Sequence, residues 1–490
     1  MFKTYLTISF FISFIYFGYS QQVSGKVVSK TSNPIPYATI QIGPNYGVIT
    51  NEEGHFSIET KGFKASDSVY ISCLGFEKTG MQLQEFSSKE YKLTEQLNEL
   101  HEVYLTNKPM TLDSIMYYVN RNLKKNYKNN LITYDIFSRR TEYIVGKDAD
   151  FEIDKSTGFK KKQLEAFNKD FDDLEKSLLN NKSKQYTEFV GTLNIKDQKT
   201  SKLEVDKAIR LLDERNNQSV ENLTEKAKDI VLKHLDKDKI YTVKSGLFKM
   251  SDSVSLDNDN DNNKMEDTLN SLKFIRNMVQ NMINSHGFSS NTILNFITDT
   301  RKYKYEIKDI TFIGSEMVYV ISYAPKRGSA DFEGTFYVSN ETFAILKADY
   351  KFAKGRIGEK FNLKLVLGVK YIEQNKKGFV IYKKHEDGFY YPNYMTDQLD
   401  RYFYVDRPIK FKDNNSSEKV AFDFKIEGVF KEKNEILIMD KKDVLPSEYN
   451  ATVEKRKIEY ETLSAFDPNY WKDYNVLEPL KEMKEFKVEY

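Results

Sequence analysis

Residues 332–352, FEGTFYVSNETFAILKADYKF, alternate large apolar and polar side chains on both sides of Ser339-Asn340-Glu341-Thr342. Phe332, Gly334, Phe336 and Val338 share one parity before that polar turn, and Leu346, Ala348, Tyr350 and Phe352 share one after it. Successive strand residues point to opposite faces, so the stretch predicts an antiparallel hairpin with one buried face. The alternation continues on either side. Phe361, Leu363, Leu365, Leu367, Val369 and Tyr371 fall on one parity, with Asn362, Lys364 and Lys370 on the other. Val420, Phe422, Phe424, Ile426 and Phe430 repeat the scheme. Turn signals at Gly314-Ser315, Lys326-Arg327-Gly328, 375–378 and Glu386-Asp387-Gly388 divide the run from Tyr303 onward into meandering antiparallel strands. One face of such a sheet must be covered, and the helices expected upstream are available to cover it.

Those helices lie in two places. Thr111 is expected to cap a helix over 111–126, with Asp113 in its first turn and Leu112, Ile115, Met116, Val119 and Leu123 at helical spacing. Strands are expected over 134–145 and 187–195, but the pattern over 155–290 is mostly helical. Leu164, Phe167, Phe171, Leu174 and Leu178 make an apolar stripe too short for a coiled coil, so packing against the sheet is expected. Further amphipathic helices are expected over 222–235 and 267–285. The second carries Leu269, Leu272, Ile275, Met278, Val279 and Met282, again read as core.

The front of the chain reads as short strands and turns. Asn51-Glu52-Glu53-Gly54 suits a tight turn, with glycine taking the positive φ, and Phe56 and Ile58 share a face beyond it. VSGKVVS at 23–29, PIPYATIQI at 34–42, GVITNEEGHFSI at 47–58, DSVYISCLGF at 67–76 and LNELHEVYL at 97–105 together resemble the carboxypeptidase-regulatory-like domain of many gram-negative envelope proteins. The resemblance implies a β-sandwich adaptor without zinc ligands and without peptidase chemistry. The helix ending in KKNY and the strand after it resemble the part that follows this module in a family of exported proteins of unassigned function. The GTFYVSNETFAILKADY hairpin, set in a meander with helices on its concave side, resembles the LolA-like lipoprotein-carrier superfamily. That implies a cleft for acyl chains or apolar peptide between sheet and helices.

The fold class expected is therefore α+β, mostly β: an N-terminal β-sandwich followed by a large curved antiparallel sheet with packed helices. The expected division is a signal peptide at 1–20, the sandwich at 22–105 and the sheet domain at 110–490. Helical segments of that domain are expected at 111–126 and about 160–288. The signal peptide rests on Lys3, an apolar core at 5–17 and the small-x-small site Gly18-Tyr19-Ser20, with cleavage expected after Ser20. Its apolar run is shorter than the roughly 20 residues a spanning helix needs. Export to the periplasm or outer membrane of a gram-negative bacterium is the expectation, with no transmembrane helix after leader cleavage.

Candidate chemistry is sparse. The 490 residues carry 74 basic and 72 acidic side chains, a net charge of +2, which gives no global field for nucleic acid. The one cysteine, Cys73, cannot form an intrachain disulfide and is expected to pack as a small core residue. His55, His101, His234, His286 and His385 make no HExxH arrangement, and no GxSxG elbow, P-loop or dinucleotide glycine pattern occurs. Arg139 and Arg140 could receive an anion, although local pairing on a strand is the expected use. In the acidic run 255–267, Ser255, Asp257, Asp259, Asp261 and Glu266 have EF-hand spacing. A serine at position one and Asn260 at the glycine position favour a solvated acidic loop instead. The only tryptophan, Trp471, is expected to pack near the C-terminus.

No residue is assigned to catalysis, to a ligand or to a metal, and no cofactor is expected. The function expected is a non-enzymatic envelope binding or adaptor protein. Its C-terminal sheet would offer a groove to an apolar ligand, such as a lipid or acyl chain, or to a partner chain. An outer-membrane β-barrel and an enzyme with an unrecognised site stay open as alternatives.

Overall fold

The computed structural model describes residues 22–43, 46–96, 110–128, 130–157, 160–180, 184–213, 226, 230, 233–235, 239–245, 248–254 and 271–488. They divide into two compact units. The first gathers the described residues of Met1–Leu97 with Phe312–Ser315 and Asp467–Lys484; the second holds the remainder. Sequence reading placed everything from 110 onward in one domain, whereas Asp467–Lys484 clusters with the first unit.

The first unit has seven short strands: β1 (Gln22–Ser29), β2 (Thr39–Ile42), β3 (Tyr46–Ile49), β4 (His55–Glu59), β5 (Ser68–Ser72), β6 (Thr79–Gln82) and β7 (Glu90–Leu93). They form a three-stranded sheet ordered β4-β1-β7 and a four-stranded sheet ordered β3-β2-β5-β6. One apolar core joins both: Val27, Phe56, Ile58, Tyr91 and Leu93 from the first, Ile40, Ile42, Val48, Val69 and Ile71 from the second. Cys73 lies half-buried against this core. The 51–54 turn forms as expected. Gly54 donates its N–H to the Asn51 carbonyl at 3.0 Å and has φ of 79°. A Cβ at Gly54 would stand 2.6 Å from the Val27 carbonyl oxygen, so this position needs glycine for space as well as for φ.

Asn51 also ties the C-terminal segment to this unit. Its Oδ1 accepts the N–H groups of Glu53 and His55, both at 2.9 Å. Its Nδ2 donates to the carbonyls of Glu478 (3.2 Å) and Pro479 (3.1 Å). The Glu59 N–H reaches Asn475 Oδ1 at 3.0 Å, and Trp471 is buried between Tyr470 and Tyr474. Asn51→Ala should lower the stability of this unit by about 1–3 kcal/mol, because buried donors and acceptors lose their partners together. Asn51→Asp keeps the acceptor for the turn but loses the donor to the tail. It should therefore loosen 467–484 while the turn survives. Thermal melting followed by Trp471 emission, with limited proteolysis of the tail, tests this; two unchanged melting curves would refute it.

The second unit is built on β8 (Ile132–Ser156), β9 (Gln185–Ile195), β10 (Ser201–Leu211), β11 (Tyr241–Ser245) and β12 (Phe248–Val254). It continues with β13 (Tyr303–Ile313), β14 (Glu316–Pro325), β15 (Phe332–Ser339), β16 (Ile345–Phe352), β17 (Lys360–Leu363) and β18 (Val369–Lys384). The last strands are β19 (Tyr390–Asp413), β20 (Lys419–Asp443) and β21 (Glu461–Leu463). All 14 belong to one sheet, whose main path runs β13-β14-β15-β16-β18-β19-β20-β8-β9-β10-β21. Among the described residues its two edge strands do not meet, so the closed-barrel alternative is not the architecture. The protein is mostly β with few helices, as expected. Among the described residues no helix is long and apolar enough to cross a membrane.

The 332–352 hairpin forms as β15 and β16, with Phe336 paired to Ala348 and Val338, Ala348 and Tyr350 buried. Three other readings need correction. Residues 361–371 are not one strand. β17 ends at Leu363, a single helical turn follows at Lys364–Leu367, and Gly368 in the left-handed region reverses the chain so that β18 pairs back on β17. Residues 375–378 are not a turn but a bulge inside β18, where the register with β19 slips between Gln374 and Lys377. The mostly helical reading of 155–290 missed β10, β11 and β12. In β10 a bulge between Val205 and Lys207 breaks the period of two, leaving Val205, Ala208 and Ile209 at helix-like spacing.

The α-helices among the described residues are α1 (Leu112–Asn126), α2 (Lys161–Asn180), α3 (Leu272–Ser285), the single turn α4 (Asn295–Thr298), the 364–367 turn, α5, and two short C-terminal ones, α6 (Pro446–Ala451) and α7 (Lys481–Lys484). The Thr111 hydroxyl accepts the Ser114 N–H at 3.3 Å and caps α1 as expected. The α2 stripe is core: Phe167, Phe171, Leu174 and Leu178 pack with Ile144, Phe151, Phe411 and Phe422 of the sheet. Leu272, Ile275, Val279 and Met282 of α3 are likewise buried. The expected signal peptide at 1–20, residues 97–105, the 255–267 acidic run and most of the expected 222–235 helix lie outside the described residues.

Candidate binding cleft

The helix α1 runs out at Tyr127, and what holds that exit in place defines the site. The Tyr127 hydroxyl donates to the Ile345 carbonyl at 2.9 Å and accepts the Ile345 N–H at 2.7 Å, so both main-chain groups of one β16 residue grip it. The side-chain amide of Asn126 adds a bond to the Thr342 carbonyl at 3.0 Å. Burial raises the Tyr127 pKa well above the ordinary phenol value, with Tyr382 and Tyr390 adding to the effect, so the ring is neutral. Phe288 lies 4.5 Å from Tyr127 and 5.4 Å from Tyr382, centroid to centroid.

Above these rings opens a cleft of about 660 Å³, lined by Leu123, Lys124, Tyr127, Lys128, Asn130, Gln198, Phe288 and Phe389. Its lining combines aromatic and apolar side chains with two lysines. Lys128 is paired with Asp443 at 2.8 Å. Lys124 is exposed in the last turn of α1, where its charge complements the helix dipole, and no carboxylate among the described residues pairs with it. Lys124, Lys128, Asn130 and Gln198 supply polar or charged groups and Leu123, Tyr127, Phe288 and Phe389 apolar or aromatic surface, so the cleft offers both kinds of contact to a small ligand.

His286, two residues before Phe288, belongs to a buried polar cluster. His286 is 1% exposed; its Nδ1 lies 2.8 Å from the Met282 carbonyl and its Nε2 lies 3.2 Å from the Tyr350 hydroxyl. Tyr350 in turn donates to Asp397 Oδ1 at 2.8 Å, and Lys376 pairs with Asp397 at 3.3 Å. Burial lowers the His286 pKa, against the Met282 carbonyl and Asp397, which act to raise it. Donating through Nδ1 to the Met282 carbonyl, the neutral imidazole is locked to its own helix and fastens the 286–288 turn that carries Phe288, while the single Tyr350 hydroxyl proton goes to Asp397 and not to Nε2.

The other sequence candidates are used up locally. Arg139 is 3% exposed and its Nε meets Glu188 Oε1 at 2.5 Å. Burial pulls its pKa down, but the carboxylates of Glu188 and Glu435 outweigh that and keep it charged. Arg140 pairs with Glu142 (2.6 Å) and Glu432 (3.2 Å). Neither arginine is arranged to receive an anion; both have carboxylates. His234 contacts Asp170 at 2.8 Å, and His385 contacts Asp387 at 3.2 Å. Among the described residues no three His, Cys, Asp or Glu side chains group so as to hold a metal. The cleft itself escaped sequence reading, because its lining comes from a helix exit and several separate turns. The KKNY run at 124–127 was the one local sign of it.

Residues 23–105 match the family model of the CarboxypepD_reg-like domain. No curated protein matches the chain. Among solved structures, a DUF1329 family protein from Desulfovibrio piger ATCC 29098 is similar at 11% identity, over 64% of this chain and 90% of that one. Its TM-score is 0.17, too low to carry an argument about the fold.

Proposed function

We propose that this chain is a non-enzymatic binding protein of the bacterial envelope, and that the cleft beside Tyr127 takes an amphiphile with one apolar chain and an anionic head. The observation that carries the reading is the pairing of the aromatic rings of Tyr127 and Phe288 with Lys124, a lining cation that no carboxylate among the described residues pairs with. The head would sit at Lys124, with Lys128 already shared with Asp443, and the chain would lie along Leu123, Phe288 and Phe389. The leader at 1–20 and the CarboxypepD_reg-like match support placement in the envelope, with the first unit as adaptor.

Binding of 8-anilinonaphthalene-1-sulfonate and of a fluorescent fatty acid to the full chain tests the reading. Phe288→Asp should weaken both probes by about tenfold or more, because a carboxylate replaces part of the apolar lining. Lys124→Glu should weaken the anionic probes several-fold and leave a neutral apolar probe nearly unchanged. Wild-type protein that takes none of these probes, or a Phe288→Asp variant that binds them as well, would overturn the proposal.

A further inference from the structure

The hairpin tip formed by β17, α5 and the start of β18 is built outward rather than inward. Leu365 is 101% exposed and Val366 78%, while Phe361 and Ile357 beside them are also exposed. Tips that merely fray do not carry anchors, and this one does. The Gly368 carbonyl accepts the Asp406 N–H from β19 at 2.8 Å, and the Gly368 N–H closes the α5 turn on Lys364 at 3.1 Å. A Cβ at Gly368 would stand 1.8 Å from the Asp406 carbonyl oxygen, so the glycine is what lets the tip be held against β19. Four residue pairs between β17 and β18, from Lys360↔Ile372 to Leu363↔Val369, brace it further.

Charge is concentrated around the same point. Residues 354–370 hold five basic side chains, Lys354, Arg356, Lys360, Lys364 and Lys370, and one acidic, Glu359: a net +4 within a chain whose total is +2. Two further acids border the stretch, Glu373 and Asp406, and one further base, Arg407 beside Gly368, which leaves the local net charge at +3. Glu373 accepts from the Tyr371 hydroxyl and the Glu359 N–H, both at 3.1 Å, and Asp406 accepts from the Tyr404 hydroxyl at 2.7 Å. Lys364 lies 3.8 Å over the Tyr404 ring. An apolar point inside a basic collar matches the interface of an anionic bilayer. There the acyl boundary accepts the apolar side chains, and the headgroup layer meets the lysines.

We propose that this tip is a membrane-docking element that inserts Leu365 and Val366 into the surface of an anionic lipid bilayer. The inference is independent of the cleft, since it uses none of the cleft's residues. The experiment is flotation of the full chain with vesicles of phosphatidylethanolamine and phosphatidylglycerol, and with vesicles of phosphatidylcholine alone. Leu365→Ser with Val366→Ser should reduce partitioning by about tenfold or more, given the apolar area withdrawn from lipid. Lys360→Glu with Lys364→Glu should reduce it on anionic vesicles, and added salt should weaken the wild type, since charges separated by more than about 8 Å are largely screened at physiological ionic strength. An environment-sensitive dye on Leu365→Cys, in a Cys73→Ser background, should shift to the blue on anionic vesicles. Wild-type protein that does not float, equal flotation by the serine pair, or a dye unmoved by vesicles would each overturn the proposal. So would a dye that responds only to an acidic protein or to a second copy of the chain. All substituted side chains are exposed, so unchanged circular dichroism is expected and checks that the variants fold.

Discussion

Glu188→Ala should cost the second unit about 3–5 kcal/mol of unfolding free energy, because it leaves a buried guanidinium without its direct partner. Glu188 on β9 is fully buried and directly opposite Arg139 on β8, which is itself opposite Glu435 on β20. The three form a charged row across the middle of the sheet. Glu435 is held down as a carboxylate: burial pushes it up, but Lys433 and Arg139 outweigh that, and the Tyr394 hydroxyl donates to it at 2.7 Å. Losing Glu188 removes the direct ion-pair partner of Arg139, and Glu435, the carboxylate on its other side, is already shared with Lys433 at 3.0 Å. Replacing both members, Arg139→Met with Glu188→Leu, should recover most of the loss, since a buried pair exchanged for apolar side chains is often neutral. Urea unfolding followed by far-ultraviolet circular dichroism reads the second unit, while Trp471 emission reads the first. A Glu188→Ala midpoint that stays at the wild-type value would show that the pair contributes nothing.

Phe171→Ala should lose a similar amount, about 3–5 kcal/mol, through the cavity it leaves. Phe171 is 1% exposed, and its ring packs 4.7 Å from Phe167, 5.1 Å from Phe151 and 6.1 Å from Phe422, centroid to centroid. These partners belong to the helix itself, to β8 and to β20, so one truncation loosens the whole contact between α2 and the sheet. Leu179→Ala, on the exposed side of the same helix, is the control and should stay within about 0.5 kcal/mol of wild type. Hydrogen exchange across 161–180 adds a second readout: protection should fall in Phe171→Ala and hold in Leu179→Ala. Equal losses in the two variants would mean that α2 is not seated through its apolar stripe.

Over most of the 332–352 hairpin, sequence and structure agree. Phe336, Val338, Ala348 and Tyr350 are buried as their parity required. So do the α2 stripe and the Asn51–Gly54 turn, each decided by residues close together in the chain. The disagreements arise where alternation meets a second constraint. Residues 361–371 alternate well, yet Gly368 brings the backbone against Asp406 and reverses the chain, so Leu365 faces solvent instead of a core. A glycine inside a strand pattern is the recognised sign of such close approach. In β10 one bulged residue was enough to disguise a strand as a helix. The tail's association with the first unit was not readable at all. Asn51 recognises the main-chain carbonyls of Glu478 and Pro479, which every residue possesses. The cleft shares that difficulty, because no contiguous motif writes it.

The strand pairings also dictate when this protein can finish folding. β8 must wait for β20, almost three hundred residues later, and the edge of β10 is completed by β21 at Glu461–Leu463. The front module in turn awaits Asn475 and the 478–479 carbonyls. Neither unit can therefore reach its final form during early synthesis, and loop closure over such separations is slow. A polypeptide with this connectivity gains the last partners of both units only once residues 461–479 are in place.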